Sequence, residues 1–161
     1  MLSIQPLTGR HDRNAFASAS EQLDAWLRHT ARQHQRRGIS KTFVAVSDEE
    51  PARILGFYAL TACEVLTEDL PGDLVRKLPR KIPGIRLGRL AVDRSVQGRG
   101  LGEHLLVDAI ERARLVLAHI GVYALFVDAK DERAAAFYRK YGFRPLPTDP
   151  LRLVLPLAGL P

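Results

Sequence analysis

The run Gln97-Gly98-Arg99-Gly100-Leu101-Gly102 constrains this chain more than any other stretch. It follows an apolar, strand-like segment over residues 87–92 and leads into a long amphipathic pattern. Three glycines within five positions give the backbone angles that a Cβ would forbid, and let it come close to a ligand. A helix opening directly behind them presents unpaired N–H groups and the positive end of its dipole. Strand, glycine turn and helix in that order form a cradle for a diphosphate. A P-loop would need Lys and Ser or Thr after its last glycine, whereas Glu103 and His104 follow Gly102. The dinucleotide fingerprint G-x-G-x-x-G is absent too, because the spacing here is G-x-G-x-G.

Around this loop, strand and helix patterns alternate. Residues 2–7 read as a strand. Ser18 and Glu21 have capping-box spacing, and the helix behind them sets Leu23, Trp26, Leu27 and Ala31 on one face. Arg28, Arg32 and Arg36 line another stripe of that helix. Residues 42–47 and 54–61 read as strands joined by the Asp48-Glu49-Glu50-Pro51 turn. Residues 66–84 form a proline-punctuated connector with at most a short helix at 72–78. A strand follows at 85–92, and the helix after the loop has a core stripe of Leu101, Leu105, Ala109, Ile110, Ala113, Val116 and Leu117. Residues 123–128 suit a buried strand, 132–141 a short helix stopped by Gly142, and 151–155 a closing strand. The expected fold is mixed α/β, a single domain over residues 1–161 with a central mixed, twisted sheet flanked by helices.

Composition narrows the setting. A chain of 161 residues buries about 70% of its unfolded surface, enough for a core without staples. The one cysteine, Cys63, forbids an intrachain disulfide and leaves no Cys/His metal pattern, which points to a reducing compartment. No run approaches the ~18 apolar residues of a membrane span, so a cytoplasmic protein is expected. Lys and Arg outnumber Asp and Glu by 24 to 18, for a net charge of +6. The cations are segregated: residues 25–47 contain no acid, and residues 74–102 hold eight Lys or Arg against Asp93 alone. Such segregation is the footprint of a polyanion-binding face, here Arg28, Arg32, Arg36, Arg76, Lys77, Arg80, Lys81, Arg86 and Arg89.

Q-x-x-G-x-G, spelled by Gln97, Gly100 and Gly102, resembles the pyrophosphate loop of the GNAT acetyltransferases. About forty residues later, A-x-x-F-Y-x-x-x-G-F at Ala134, Phe137, Tyr138, Gly142 and Phe143 resembles the family's second signature. The resemblance implies acetyl-CoA as acetyl donor, with its pyrophosphate on Gln97, Gly98, Arg99, Gly100, Leu101 and Gly102. It implies that amides of Leu90, Ala91 and Val92 hold the pantetheine arm, and that Tyr138 donates a proton to the thioester sulfur. Asp131 stands where the family often has a polar pantetheine contact, typically Asn, and Phe137 adds to that binding. A phenol with its ordinary pKa near 10 stays protonated at neutral pH, as a general acid must.

No carboxylate or histidine is placed so as to identify it as a general base. A lysine near 10.4 is almost wholly protonated at pH 7, whereas an α-amine near 7.7–8 is roughly a tenth neutral and needs no strong base. Ser20-x-x-Leu23-Asp24-x-Trp26-Leu27, Lys41-Thr42-Phe43-Val44, Gly56-Phe57-Tyr58 and Gly88-Arg89-Leu90-Ala91-Val92-Asp93 resemble the TacT-like GNAT toxins of toxin–antitoxin modules. That resemblance implies acetylation of the α-amine of aminoacyl-tRNA, a ribbon-helix-helix antitoxin as partner, and a homodimer. The alternatives are a GNAT enzyme for a small amine or a protein N-terminus, and a coenzyme-A-binding module without catalysis.

Overall fold

The computed structural model describes residues 1–160. Strand β1 (Leu2–Pro6) is followed by helices α1 (Glu21–His29) and α2 (Ala31–Arg36) and strands β2 (Lys41–Ser47), β3 (Gly56–Leu66) and β4 (Lys81–Val92). Helix α3 (Leu101–Leu117), strand β5 (Ala124–Asp128), helix α4 (Glu132–Arg139) and strands β6 (Arg144–Leu146) and β7 (Asp149–Pro156) complete the chain. The strands form one mixed sheet in the order β1-β2-β3-β4-β5-β7-β6. Strands β4 and β5 pair in parallel, Gly84 opposite Ala124 through Leu87 opposite Val127, and α3 supplies the crossover that a parallel pair needs. The β1–β2, β2–β3, β5–β7 and β6–β7 pairs are antiparallel. This is the mixed α/β architecture that the alternating patterns imply.

Two compact units divide the chain: Met1–Thr61 with Gly88–Glu111, and residues 62–87 with those from 112 onward. In the first, Leu7, Phe16, Leu27, Ala31, Val44, Val46, Ile54, Phe57 and Ala91 make a core, with Leu23 and Trp26 packed on it. In the second, Val65, Leu70, Ile82, Ala124, Phe126, Leu146 and Val154 do the same. The alternation along β2 and β3 sends one set of side chains, Val44, Val46 and Phe57, into the first core.

Several local expectations are corrected. The N-cap of α1 is Ser20, whose Oγ accepts from the Leu23 N–H at 3.2 Å. Ser18 is instead buried: its Oγ donates to the Asp24 carboxylate at 2.7 Å, a charge-assisted bond, and accepts from the Ser20 N–H at 3.1 Å. The single helix expected behind it is two, broken where Thr30 leaves the helical region at φ −123° and ψ −36°. Arg28 therefore lies on α1 while Arg32 and Arg36 lie on α2. Strand β3 runs on to Leu66 and β4 begins at Lys81, so Lys81 is a strand residue and not part of the connector. Pro83 is tolerated there because a proline removes one donor only, and its carbonyl still accepts from the Tyr123 N–H at 2.8 Å. The connector holds two single 3-10 turns, at Thr67–Asp69 and Gly72–Leu74, in place of a helix over 72–78. Strand β6 has three residues, too few for a period to show. On α3, Leu106 is fully buried, whereas Val116 from the expected stripe is exposed.

Gly84 is where the second core is tightest. A Cβ there would lie 2.5 Å from the Phe126 ring and 3.1 Å from the Ala124 carbonyl. A buried ring and a paired backbone have little freedom to yield. Gly84→Ala should lower stability by about 1–3 kcal/mol, read as an earlier urea midpoint at unchanged slope. An unshifted midpoint would show that this packing is slack.

Candidate active site

The glycine loop hangs between two fixed ends. At the close of β4, buried Asp93 accepts from the Ala17 N–H at 3.0 Å, the Ser95 N–H at 3.0 Å and the Ser95 hydroxyl at 2.7 Å. Burial pushes its carboxyl up, but these donors and the nearby Arg53 outweigh that and hold it below the usual range. The Asp93 N–H in turn donates to the Leu55 carbonyl at 2.8 Å. Gln97 folds the loop back, its side-chain amide donating to the Val92 carbonyl at 3.0 Å. On the far side, a Cβ on Gly56 would sit 2.8 Å from Leu105 and 3.4 Å from Leu101, so this glycine lets the first turns of α3 lie close to β3.

Between those ends the backbone takes the form that the sequence demanded. Gly98 and Gly100 have φ of +78° and +82°, a region that L side chains rarely enter. Among the described residues, no backbone N–H from Gln97 to Glu103 finds an intramolecular acceptor; the first to do so is that of His104, to the Gly100 carbonyl at 3.1 Å. A Cβ at Gly98 or Gly100 would meet nothing within 4 Å, so there is open space beside the loop. Partnerless amides, a helix start and no bulk in front of them suit a diphosphate. A cleft of about 370 Å³ adjoins the loop, lined by Leu2, Ser47, Leu55, Val96, Arg99, Gly100, Leu101 and His104. Leu90, Ala91 and Val92 occupy the last turns of the pleat leading in, with Ala91 buried in the first core.

Tyr138 belongs to the second unit. Asp131 caps α4, its carboxylate accepting from the Ala134 N–H at 2.8 Å, so this residue has a structural task of its own. About two turns on, Tyr138 is 8% exposed, with Phe143 edge-on at 5.6 Å and Phe137 at 5.3 Å. Phe137 also packs on Tyr141 at 5.3 Å. No acceptor among the described residues takes the Tyr138 hydroxyl. Burial, and then the negative charge of Asp128, push the phenol up to about 12. Sequence reasoning missed Asp128, because the last residue of a short strand looks like any polar end. It is held by Arg86 at 3.1 Å and Arg152 at 3.4 Å.

The nine basic candidates separate into groups. Arg28, Lys81 and Arg86 are engaged by Glu21 at 2.6 Å, Glu64 at 3.7 Å and Asp128 at 3.1 Å. Arg36, Arg76, Lys77 and Arg80 are exposed and form no ion pair among the described residues. Arg32 is half-buried with its guanidinium near Gly9, and Arg89 lies over the Trp26 ring at 4.3 Å. His11, one of the scattered histidines, is buried with Nδ1 accepting from the Thr8 N–H at 3.0 Å. Among the described residues no group of His, Cys, Asp and Glu could hold a metal ion, and no helix is long and apolar enough to cross a membrane.

Residues 38–145 match the family model described as an acetyltransferase (GNAT) domain. A tRNA-acetylating toxin of Mycobacterium tuberculosis is 44% identical over 144 residues, covering 89% of this chain and 85% of that protein. AtaT complexed with acetyl-methionyl-tRNAfMet superposes with a TM-score of 0.90 at 30% identity, over 97% of this chain and 95% of the other. A tyrosine-to-phenylalanine mutant of the AtaT toxin, bound to the C-terminus of the antitoxin AtaR and acetyl-CoA, superposes with a TM-score of 0.82 at 28% identity, over 98% and 94% of the two chains.

The raised pKa of Tyr138 has a stability consequence. A folded-state value of about 12 lies above the unfolded value near 10, so the fold favours the protonated phenol. That contribution is complete below pH 10 and is lost as pH rises to about 12. The wild-type unfolding free energy should fall across that window by roughly 2–3 kcal/mol more than that of Tyr138→Phe. Parallel pH profiles for the two proteins would contradict the burial of an ionisable phenol.

Proposed function

Since the chain belongs to the GNAT N-acetyltransferase family, we propose that it moves an acetyl group from acetyl-CoA to the α-amine of an aminoacyl-tRNA, as a translation-blocking toxin. The observation that carries the reading is the row of partnerless amides from Gln97 to Glu103 at the start of α3, fitted to a diphosphate. Acetyl-CoA, when bound, supplies an activated thioester. Gln97, Gly98, Arg99, Gly100, Leu101 and Gly102 hold its pyrophosphate, and Leu90, Ala91 and Val92 its pantetheine arm. Phe137 packs beside Tyr138, and Asp131 contributes through its cap.

Tyr138 keeps its proton at its phenolic oxygen throughout the physiological range. A phenol near 12 is a weaker acid than a thiol near 8.5. Tyr138 therefore stabilises the departing sulfur first by donating a hydrogen bond, and gives up the proton only as negative charge accumulates there. The acceptor needs no strong base, because an α-amine is already partly neutral at pH 7.

Support for RNA as acceptor comes from Arg36, Arg76, Lys77 and Arg80, exposed cations that the fold leaves without carboxylates. A relative that acetylates tRNA and a neighbour that binds it point the same way. A ribbon-helix-helix antitoxin, a homodimer and the cytoplasm complete the reading, with one N-acetyltransferase domain over residues 1–161. A small-molecule enzyme would have no use for so many unpaired surface cations.

Incubation with labelled acetyl-CoA and a charged total-tRNA pool should place label on the α-nitrogen of the esterified amino acid. Label confined to a polyamine or to protein lysines would favour another GNAT activity. Tyr138→Phe should retain acetyl-CoA binding and lose about 10²–10⁴-fold in the rate of transfer. Gly100→Val, which forces a β-branched residue to φ +82°, should abolish acetyl-CoA binding in calorimetry while the protein remains folded. Undiminished affinity would remove the loop from the site.

A further inference from the structure

Arginines on this chain that are partly withdrawn from water are in most cases given an acid or a carbonyl. Arg28 has Glu21 at 2.6 Å, Arg86 has Asp128 at 3.1 Å and Arg144 has Asp73 at 2.6 Å. Arg13 donates to the Arg28 carbonyl at 2.8 Å. Arg32 and Arg89 are the exceptions, and Arg89 is the one set on an aromatic ring. It is half-buried on β4, and among the described residues its guanidinium has neither a hydrogen-bond acceptor nor an ion pair. What it has is a ring: its Cζ stands 4.3 Å above the centroid of Trp26 on α1. That indole is itself fixed, stacked on Phe57 at 6.2 Å and 10° and edge-on to His34 at 6.2 Å.

A cation withdrawn from water without an anion is an unfavourable element unless something arrives to complete it. Burial drives this guanidinium below its ordinary pKa, the signature of a charge with too little compensation. Stacking on the indole satisfies one face of the plane and leaves five N–H donors at its edge. A flat fork with fixed orientation suits the paired oxygens of a phosphodiester better than a single carbonyl. Its place is also specific: Arg89 immediately precedes Leu90, on the strand that ends at the glycine loop. The exposed Arg36, Arg76, Lys77 and Arg80 can attract a polyanion from a distance, but a held and partly dried guanidinium can recognise one.

We propose that Arg89, seated on the Trp26 indole, grips a phosphodiester of the single-stranded 3′ end of the RNA acceptor. This rests on the reading of the chain as an aminoacyl-tRNA acetyltransferase and deepens it, turning one of nine candidate cations into a recognition residue. Trp26 is the positioning residue that keeps the fork in its plane.

Three acceptors test it: an aminoacyl-adenosine ester with no phosphate, the same ester on a cytidylyl-adenosine dinucleotide with one phosphodiester, and intact charged tRNA. Wild-type protein should acetylate the dinucleotide about ten- to hundredfold better in kcat/KM than the nucleoside, the gain expected of a charged hydrogen-bonded pair. Arg89→Gln should treat the two alike while its acetyl-CoA affinity and thermal midpoint stay at wild-type values. Arg89→Lys should recover only part of the preference, because a point charge lacks the fork. If Arg89→Gln does not fold, Trp26→Phe, which keeps a ring under the guanidinium but shortens the platform, should still narrow the preference. An equal wild-type rate on nucleoside and dinucleotide, or a full preference surviving in Arg89→Gln, would overturn the assignment. Suppression of nucleoside acetylation by hexaglutamate in wild type but not in Arg89→Gln would overturn it in favour of an acidic protein segment. Failure of wild type to acetylate all three acceptors would sink the underlying tRNA reading instead.

Discussion

A helix cannot satisfy its own first amides, and the use of this chain follows from where it leaves them. From Gln97 to Glu103 the backbone donors have no internal acceptor among the described residues. An arrangement of that kind is stable only if water or a ligand takes the donors, so it needs rigid anchors on both sides to keep its shape when empty. Asp93 provides one anchor by accepting three hydrogen bonds at the end of β4, two of them from Ser95 and one from Ala17. Gly56 provides the other by letting Leu101 and Leu105 approach β3. Most of what surrounds the loop in the first unit is explained by the need to hold α3 at that height.

Charge is distributed on a comparable principle. The net charge of +6 says little by itself, since many arginines are consumed by the fold. Glu21, Asp73 and Asp128 each occupy a guanidinium that composition alone would have counted as available. What remains is a set of exposed cations and two half-buried guanidinium groups, those of Arg32 and of Arg89, the latter on an aromatic platform. Surface ion pairs contribute little to stability, so their effect here is chiefly to decide which cations stay open to a partner.

The structure also qualifies how a tyrosine works as an acid. A phenol in water near pKa 10 would be adequate, and its sequence context says nothing about departure from that value. Folding places Tyr138 against Phe137 and Phe143 and within the field of Asp128, and the result is a group that holds its proton harder. Under the proposed function, its contribution to transfer shifts from proton donation toward stabilising charge on the sulfur. The same burial makes it a pH-dependent element of the fold.

The glycine loop, the A-x-x-F-Y signature and the run of alternating elements were legible without coordinates, because each rests on local chemistry. Positive φ requires glycine, a helix start requires open amides, and a period of two or of 3.6 names an element. Thus Gly98 and Gly100 adopt the angles expected of them, and α3 and α4 begin where their patterns begin. What sequence could not decide were competitions. Ser18 had the capping spacing but gave its hydroxyl to Asp24, and Ser20 took the cap. The helix carrying Arg28, Arg32 and Arg36 broke at Thr30, and Pro83 stood inside a strand that its neighbours held together. Asp128 beside Tyr138, and Arg89 over Trp26, join residues 10 or more positions apart in the chain, so no spacing rule could have announced them. Sequence by itself determined which backbone could cradle a diphosphate, since that depends on residue type alone; tertiary structure decided which charges on the chain remain unpaired, since a charge is spent or spared only by what the fold brings to its side.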